Sequence, residues 1–172
     1  GALHGIVAPS TGFLHHYCLD QQHIISNAMF SGILLDDSFV GHDLLADWQN
    51  LGIIFQIRDD IFDYYDSTEI GKPTGNDMVE GKLTLPVIYA VNNGGNEDMR
   101  RLALKVKEHS VSADEIAQLV DYTKQMGGIE YAERRMWEFH AHAQQFIDDR
   151  VGQPDVKAAL QTYLDYVIKR TK

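Results

Sequence analysis

Gln56, Asp59, Asp60 and Asp63 stand at i, i+3, i+4 and i+7 in the segment LGIIFQIRDDIFDYYDS. On an α-helix that spacing puts all four on one face. The other positions hold Leu51, Ile53, Ile54, Phe55, Ile57, Ile61, Phe62 and Tyr64. A surface helix has a narrow apolar stripe and a broad polar face. This segment reverses that pattern, which predicts a nearly buried helix with one acidic stripe. Carboxylates this close repel one another, and burying them is costly unless a cation compensates. The stripe therefore predicts a cavity for hard, oxygen-seeking metal ions, most simply Mg²⁺. The competing reading, carboxylates that only cover a solvated face, is weakened by the apolar flanks. An EF-hand is excluded, because its alternating ligands and the Gly at its sixth position do not follow Asp59.

The segment behind the stripe, residues 66–82, reads DSTEIGKPTGNDMVEGK. It predicts a long loop, and long loops inside compact domains are often functional. Glycines at 71, 75 and 81 let backbone approach a ligand closely. Lys72 and Lys82 supply charge that suits phosphate. With Asp77 and the implied Mg²⁺, these residues suggest a diphosphate or triphosphate ligand. A P-loop is excluded, since no Gly-Lys-Ser/Thr ending is present.

The elements that must position these groups all read as helix. Helical patterns cover about residues 19–35, 43–65, 83–92, 97–109, 129–149 and 155–170, with Pro86 in a first turn where proline is tolerated. Ser112 and Glu115 form a capping-box signature for one more helix, which ends at Gly127-Gly128. No segment alternates as a strand between hairpin signals. The expected class is all-α, a packed helical bundle forming one domain over residues 1–172, with 1–18 poorly patterned. Trp48 and Trp137 are expected in the core. His15-His16 and His140/His142 lack the i, i+4 spacing that puts two metal ligands on one helix face.

The net charge of −10 argues against nucleic acid as a partner. Cys18 is the only cysteine, which excludes an intrachain disulfide and a cysteine-based zinc site and fits a cytoplasmic protein. No apolar run has the length of a membrane span, and no secretory signal pattern opens the sequence.

The runs Gly52-x-x-Phe55-Gln56-x-x-Asp59-Asp60-x-x-Asp63, Gly71-Lys72-Pro73, Gly75-x-Asp77 and Glu80-Gly81-Lys82-x-Thr84-Leu85-Pro86 together resemble the trans-isoprenyl diphosphate synthases. More narrowly, they resemble bacterial long-chain, octaprenyl-type synthases that make quinone side chains. A weaker pattern, Ala158, Leu160, Tyr163, Tyr166, Val167, Ile168 and Arg170, is similar to the family's C-terminal end. The resemblance implies an isoprenoid-synthase-type helical bundle, here its C-terminal portion. It implies Mg²⁺-assisted transfer of an allylic diphosphate's prenyl group to isopentenyl diphosphate, with a membrane-directed product released by a soluble chain. By motif position, Asp59 is implied as a direct metal ligand, and Asp60 and Asp63 as ligands or holders of metal-bound water. Gln56 is placed beside the reacting allylic diphosphate and Lys72 in contact with it. Lys82 and Thr84 are implied to shape the loop and the next helix.

Two departures qualify the match. The family's first Asp-rich motif, with its following arginine pair, has no counterpart, since Asp36-Asp37 is followed by neither a third Asp nor that pair. The Lys-Thr pair expected on the helix before the stripe is also missing around Cys18–Gln21. The chain is therefore expected to be nearly inactive alone, and to associate as a homodimer through apolar surface. Alternative readings are a non-catalytic, regulatory synthase subunit and a class I terpene synthase. The Gly-Lys-Pro and Glu-Gly-Lys runs favour the synthase over the terpene synthase.

Overall fold

A computed structural model describes residues 42–65 and 74–169. The helix expected over 19–35, Asp36-Asp37 and the loop residues Gly71, Lys72 and Pro73 lie outside the described residues. The described chain forms helices α1 (His42–Phe62), α2 (Asn76–Val79), α3 (Leu85–Asn93), α4 (Glu97–Lys107), α5 (Ala113–Gln125), α6 (Gly128–Arg150) and α7 (Pro154–Lys169). Every regular element among the described residues is helical, as the sequence patterns predict. One difference is α2, which lies inside the segment expected to be loop. No helix of the described chain is long and apolar enough to cross a membrane.

The contacts gather into two compact units, one containing the described residues of Asp59–Arg134 and the other the described residues 42–58 and 135–169. In the first unit, α5 packs on α2, α3 and α4. Helix α3 is the most enclosed element: Leu85, Pro86, Val87, Ile88, Ala90 and Val91 are all buried. Pro86 sits in its first turn, where its missing N–H leaves no helical bond unmade. At the other end, α3 has no basic residue of its own in the last turn. Arg100 on α4 supplies one, donating from Nε to the Val91 carbonyl at 3.0 Å and from a terminal nitrogen to Asn92 O at 3.4 Å. The Ser112 capping box forms as predicted. Glu115 N–H donates to Ser112 Oγ at 3.3 Å, and Ser112 N–H donates to Glu115 Oε2 at 2.9 Å. Tyr89 stacks on Tyr131, their ring centres 4.1 Å apart.

In the second unit, Met136, Ala143 and Ile147 of α6 and Leu160, Leu164, Val167 and Ile168 of α7 are buried. Asp148 links the two helices by accepting from Lys157 at 2.8 Å and Gln161 at 3.2 Å. Trp137 corrects an expectation: it is half exposed instead of filling core. Met136 takes the inward position on α6, and the next residue, a hundred-degree step round the helix, faces outward. Its ring instead makes a T-shaped contact with His140, ring centres 5.1 Å apart, and His140 pairs with Asp165 across to α7 at 3.4 Å.

Candidate functional site

The acidic stripe forms on α1, but its members differ in exposure. Asp59 is exposed and Gln56, one turn earlier, is half-buried. Asp60 is 1 % exposed and Asp63 9 %. The expected apolar flank is present, with Ile53, Ile54, Ile57, Ile61 and Tyr64 buried. The helix ends at Phe62, so Asp63 lies just past its last residue. There the chain tightens, with Tyr64 N–H donating to Ile61 O and Tyr65 N–H to Phe62 O.

Asp63 then fastens the returning loop. Its carbonyl accepts from Gly75 N–H at 3.0 Å. Its carboxylate Oδ1 accepts from Asn76 N–H at 3.0 Å, and Oδ2 from Asp77 N–H at 3.2 Å. These amides open α2, a helix of four residues that is too short to stand alone. Gly75, at the N-cap, has no side chain to cap it, and Asp63 takes that role from across the loop. Gly75 is also fixed by geometry. Its φ is +82°, and an added Cβ would come within 2.7 Å of Ile116 Cγ2. At the far end, Lys82 N–H donates to Asp77 O and Gly81 N–H to Met78 O, with Gly81 left-handed at φ +78°. That is a Schellman cap, and it accounts for the glycine of the Glu80-Gly81-Lys82 run.

Lys82 pairs with Glu80 at 2.6 Å. The Glu80 hydrogen bond, with the negative charges of Glu80, Asp77 and Asp60, holds the Lys82 ammonium pKa above its ordinary value. Thr84, the N-cap of α3, makes no side-chain cap and instead meets the Tyr64 hydroxyl at 3.3 Å. Burial, with Asp60 and Asp63 nearby, pushes the Tyr64 phenol above the usual range, while hydrogen bonds to Thr84 and Thr123 act the other way. Thr123 Oγ1 itself donates to Leu119 O at 2.7 Å. The structure thus joins the end of α1 to the starts of α2 and α3 and to α5.

Sequence reasoning singled out Gln56, Asp59, Asp60 and Asp63, and all four lie on α1 or one step past it; Lys72 falls outside the described residues. Among the described residues, no three His, Cys, Asp or Glu side chains gather as a ready metal cage. The carboxylates line a stripe instead. Sequence reasoning missed Tyr64, Thr123 and the Asn76 and Asp77 amides as parts of the site's support. Only Gly75-Asn76-Asp77, a turn signal followed by a helix-opening acid, hinted at α2.

Comparison with known proteins agrees with this architecture. A geranylgeranyl pyrophosphate synthase structure from Bacteroides thetaiotaomicron superposes with a TM-score of 0.65 and 43% identity, covering 77% of this chain and 44% of that one. A synthase from Corynebacterium glutamicum, solved with isoprenyl diphosphate and magnesium, gives a TM-score of 0.59 and 26% identity, covering 74% of this chain and 37% of that one. The fold is thus the all-α isoprenoid synthase fold. The Polyprenyl synthetase family model matches residues 25–123, and the chain belongs to that family. Geranylfarnesyl diphosphate synthase of Aeropyrum pernix is 36% identical over 126 residues, 72% of this chain and 38% of that protein. The chain therefore spans less than half the length of the curated relatives it matches.

Proposed function

We propose that the chain carries one carboxylate wall of a prenyl-transfer site, where an allylic diphosphate is condensed with isopentenyl diphosphate to give a polyprenyl diphosphate. The observation that carries this reading is Asp59-Asp60 at the end of α1, with a loop fastened directly behind them through Asp63. The isoprenyl diphosphate and magnesium in the Corynebacterium synthase support the ligand class. Residues 1–172 are read as one all-α domain of such an enzyme, cytoplasmic and paired as a homodimer.

The donor set fits Mg²⁺. Asp59 and Asp60 offer hard carboxylate oxygens, and Mg²⁺ takes one or two carboxylates beside waters and phosphate oxygens. These two residues would hold it, and when bound it would offset the charge of the departing diphosphate. Asp60 is buried, so packing limits its rotamers and fixes where its oxygens point. Asp59 is exposed to solvent. Lys82 balances part of the charge of Asp60 and Asp77. Gln56, one turn earlier, offers an amide N–H to the allylic diphosphate, and Lys72 its ammonium.

Calorimetry with inorganic pyrophosphate tests the reading. Binding is expected only with Mg²⁺ present. Asp59→Asn and Lys72→Ala should each weaken it by about 10-fold or more, the range seen when supporting groups of a metal site are removed. Pyrophosphate binding that ignores Mg²⁺ would overturn the proposal. The chain holds one of the two Asp-rich motifs the reaction calls for, so it is expected to elongate little prenyl chain when given both diphosphates and Mg²⁺. Robust elongation would refute that part.

A further inference from the structure

We infer that Tyr64 is the positioning residue of the metal-holding carboxylate Asp60, held in place by a one-way line of buried hydroxyls that runs from Thr84 through Tyr64 to Thr123. The role rests on the prenyl-transfer reading for the ion, while the line of hydroxyls does not depend on it. Asp59 and Asp60 stand in the last turn of α1, which ends at Phe62. Helix ends fray, so carboxylates placed there need an anchor beyond the end to keep their oxygens in one place. Tyr64 is that anchor. It is buried as deeply as Asp60, each 1 % exposed. Its hydroxyl meets Thr84 Oγ1 at 3.3 Å and also hydrogen-bonds Thr123. One polar atom thus ties the end of α1 to the start of α3 and the last turn of α5.

The line has a direction. Thr123 Oγ1 gives its only proton to Leu119 O at 2.7 Å, so toward Tyr64 it can only accept. The phenol proton therefore goes to Thr123, and the Thr84 hydroxyl donates to the phenol oxygen. Thr84 can do so because it stands at the N-cap of α3 without capping it, against the usual use of threonine there. Thr84 and Thr123 are themselves buried, and a buried donor or acceptor that loses its partner is costly. Asp60 and Asp63 lie near enough for their charge to act on the phenol, yet the phenol proton is turned toward α5. A phenol donating to Asp60 would compete with an ion for the same oxygens. The line removes that competitor and fixes the end of the helix, which is what a supporting shell does for a metal site.

The test follows the Mn²⁺ affinity of the full 172-residue chain by electron paramagnetic resonance. Tyr64→Phe keeps the ring and removes the hydroxyl, and Thr84→Val keeps the shape and removes the donor. Each should weaken Mn²⁺ binding about 10-fold, the lower end of what loss of a supporting partner costs a metal site. Thr84→Ser, which keeps the donor, should bind as the parent does. Arg100→Ala, which weakens the opposite end of α3, should destabilise the fold and leave Mn²⁺ affinity unchanged. Tyr64→Phe combined with Thr84→Val should be more stable in urea than the sum of the single changes, yet should not regain Mn²⁺ affinity. A merely structural role would move stability and affinity together. Unchanged affinity in Tyr64→Phe overturns the inference, and so does a loss in Arg100→Ala as large as that in Tyr64→Phe. Where Tyr64→Phe fails to fold, Thr84→Val and Thr84→Ser decide, and equal affinity in those two overturns it. A parent chain that takes up no Mn²⁺ overturns the positioning role together with the prenyl-transfer reading. A parent and a Tyr64→Phe chain that bind Mn²⁺ alike overturn the positioning role alone.

Discussion

The imidazole of His109 lies over Gly81, where an added Cβ would meet its Nε2 at 2.8 Å and its Nδ1 at 2.9 Å. Both residues are left-handed, Gly81 at φ +78° and His109 at φ +53°. Each sits at the same place in a Schellman cap, one closing α2 and the other closing α4, where His109 N–H donates to Val106 O and Ser110 N–H to Lys105 O. Gly81→Ala therefore meets two penalties, a backbone strain of about 1 kcal/mol and a steric clash of about 1–3 kcal/mol. Adding His109→Gly should remove the clash and leave the strain. Chemical denaturation of the two single variants and the double variant checks this, and strict additivity would deny the contact.

Tyr64 and Thr84 form a second buried joint, between the end of α1 and the start of α3. Tyr64→Phe keeps the ring packing but takes a partner from a buried hydroxyl. A loss of about 1–2 kcal/mol is expected. Urea denaturation measures it. Thr84→Val combined with Tyr64→Phe should cost less than the sum of the two single changes, because no buried hydroxyl of the pair is then left behind.

Arg100 caps α3 from a neighbouring helix, so its loss should be felt on α3 and not only on α4. Arg100→Ala should cost about 1–2 kcal/mol, since two carbonyls lose a charged donor. Arg100→Lys should recover only part, because a lysine cannot offer the paired nitrogens of a guanidinium fork. The Glu97 ion pair contributes little, being exposed on its acidic side. Glu97→Gln should leave the melting temperature nearly unchanged.

Glu115 sets an acid limit on the α4–α5 joint. The Lys105 hydrogen bond, with the Ser112 backbone bond, holds its carboxyl below the ordinary range. The folded state therefore binds this proton less readily than the unfolded chain does. Its contribution is fully present above the unfolded value and is lost as pH falls through the folded one. The melting temperatures of the parent chain and Glu115→Gln should differ at neutral pH and converge in acid. A gap that widens in acid would reverse the sign.

Much of this was legible in the residues. The spacing of Gln56, Asp59 and Asp60 needs only helical geometry, and the capping box of Ser112 and Glu115 is a local signal that the fold keeps. The Asp63 clamp was not legible. It depends on where α1 stops and on amides more than ten positions away, and neither is written in a periodic pattern. For the same reason α2 was hidden, because glycines at 75 and 81 read as loop signals while in fact they cap a helix at both ends. Trp137 misled in a different way. Its apolar character argued for core, but its register, one step from Met136, decided its exposure.

The enclosure of α3 gives the chain a built-in gauge. With Leu85, Val87, Ile88, Ala90 and Val91 all buried, no small fluctuation brings its amides to solvent. They should exchange only when the whole unit opens, so their rates report global stability directly. A ligand that prefers the folded state raises that stability by mass action. Slowed exchange along α3 would therefore register binding at the stripe without any label on the ligand, and would do so for molecules that the chain holds but never turns over.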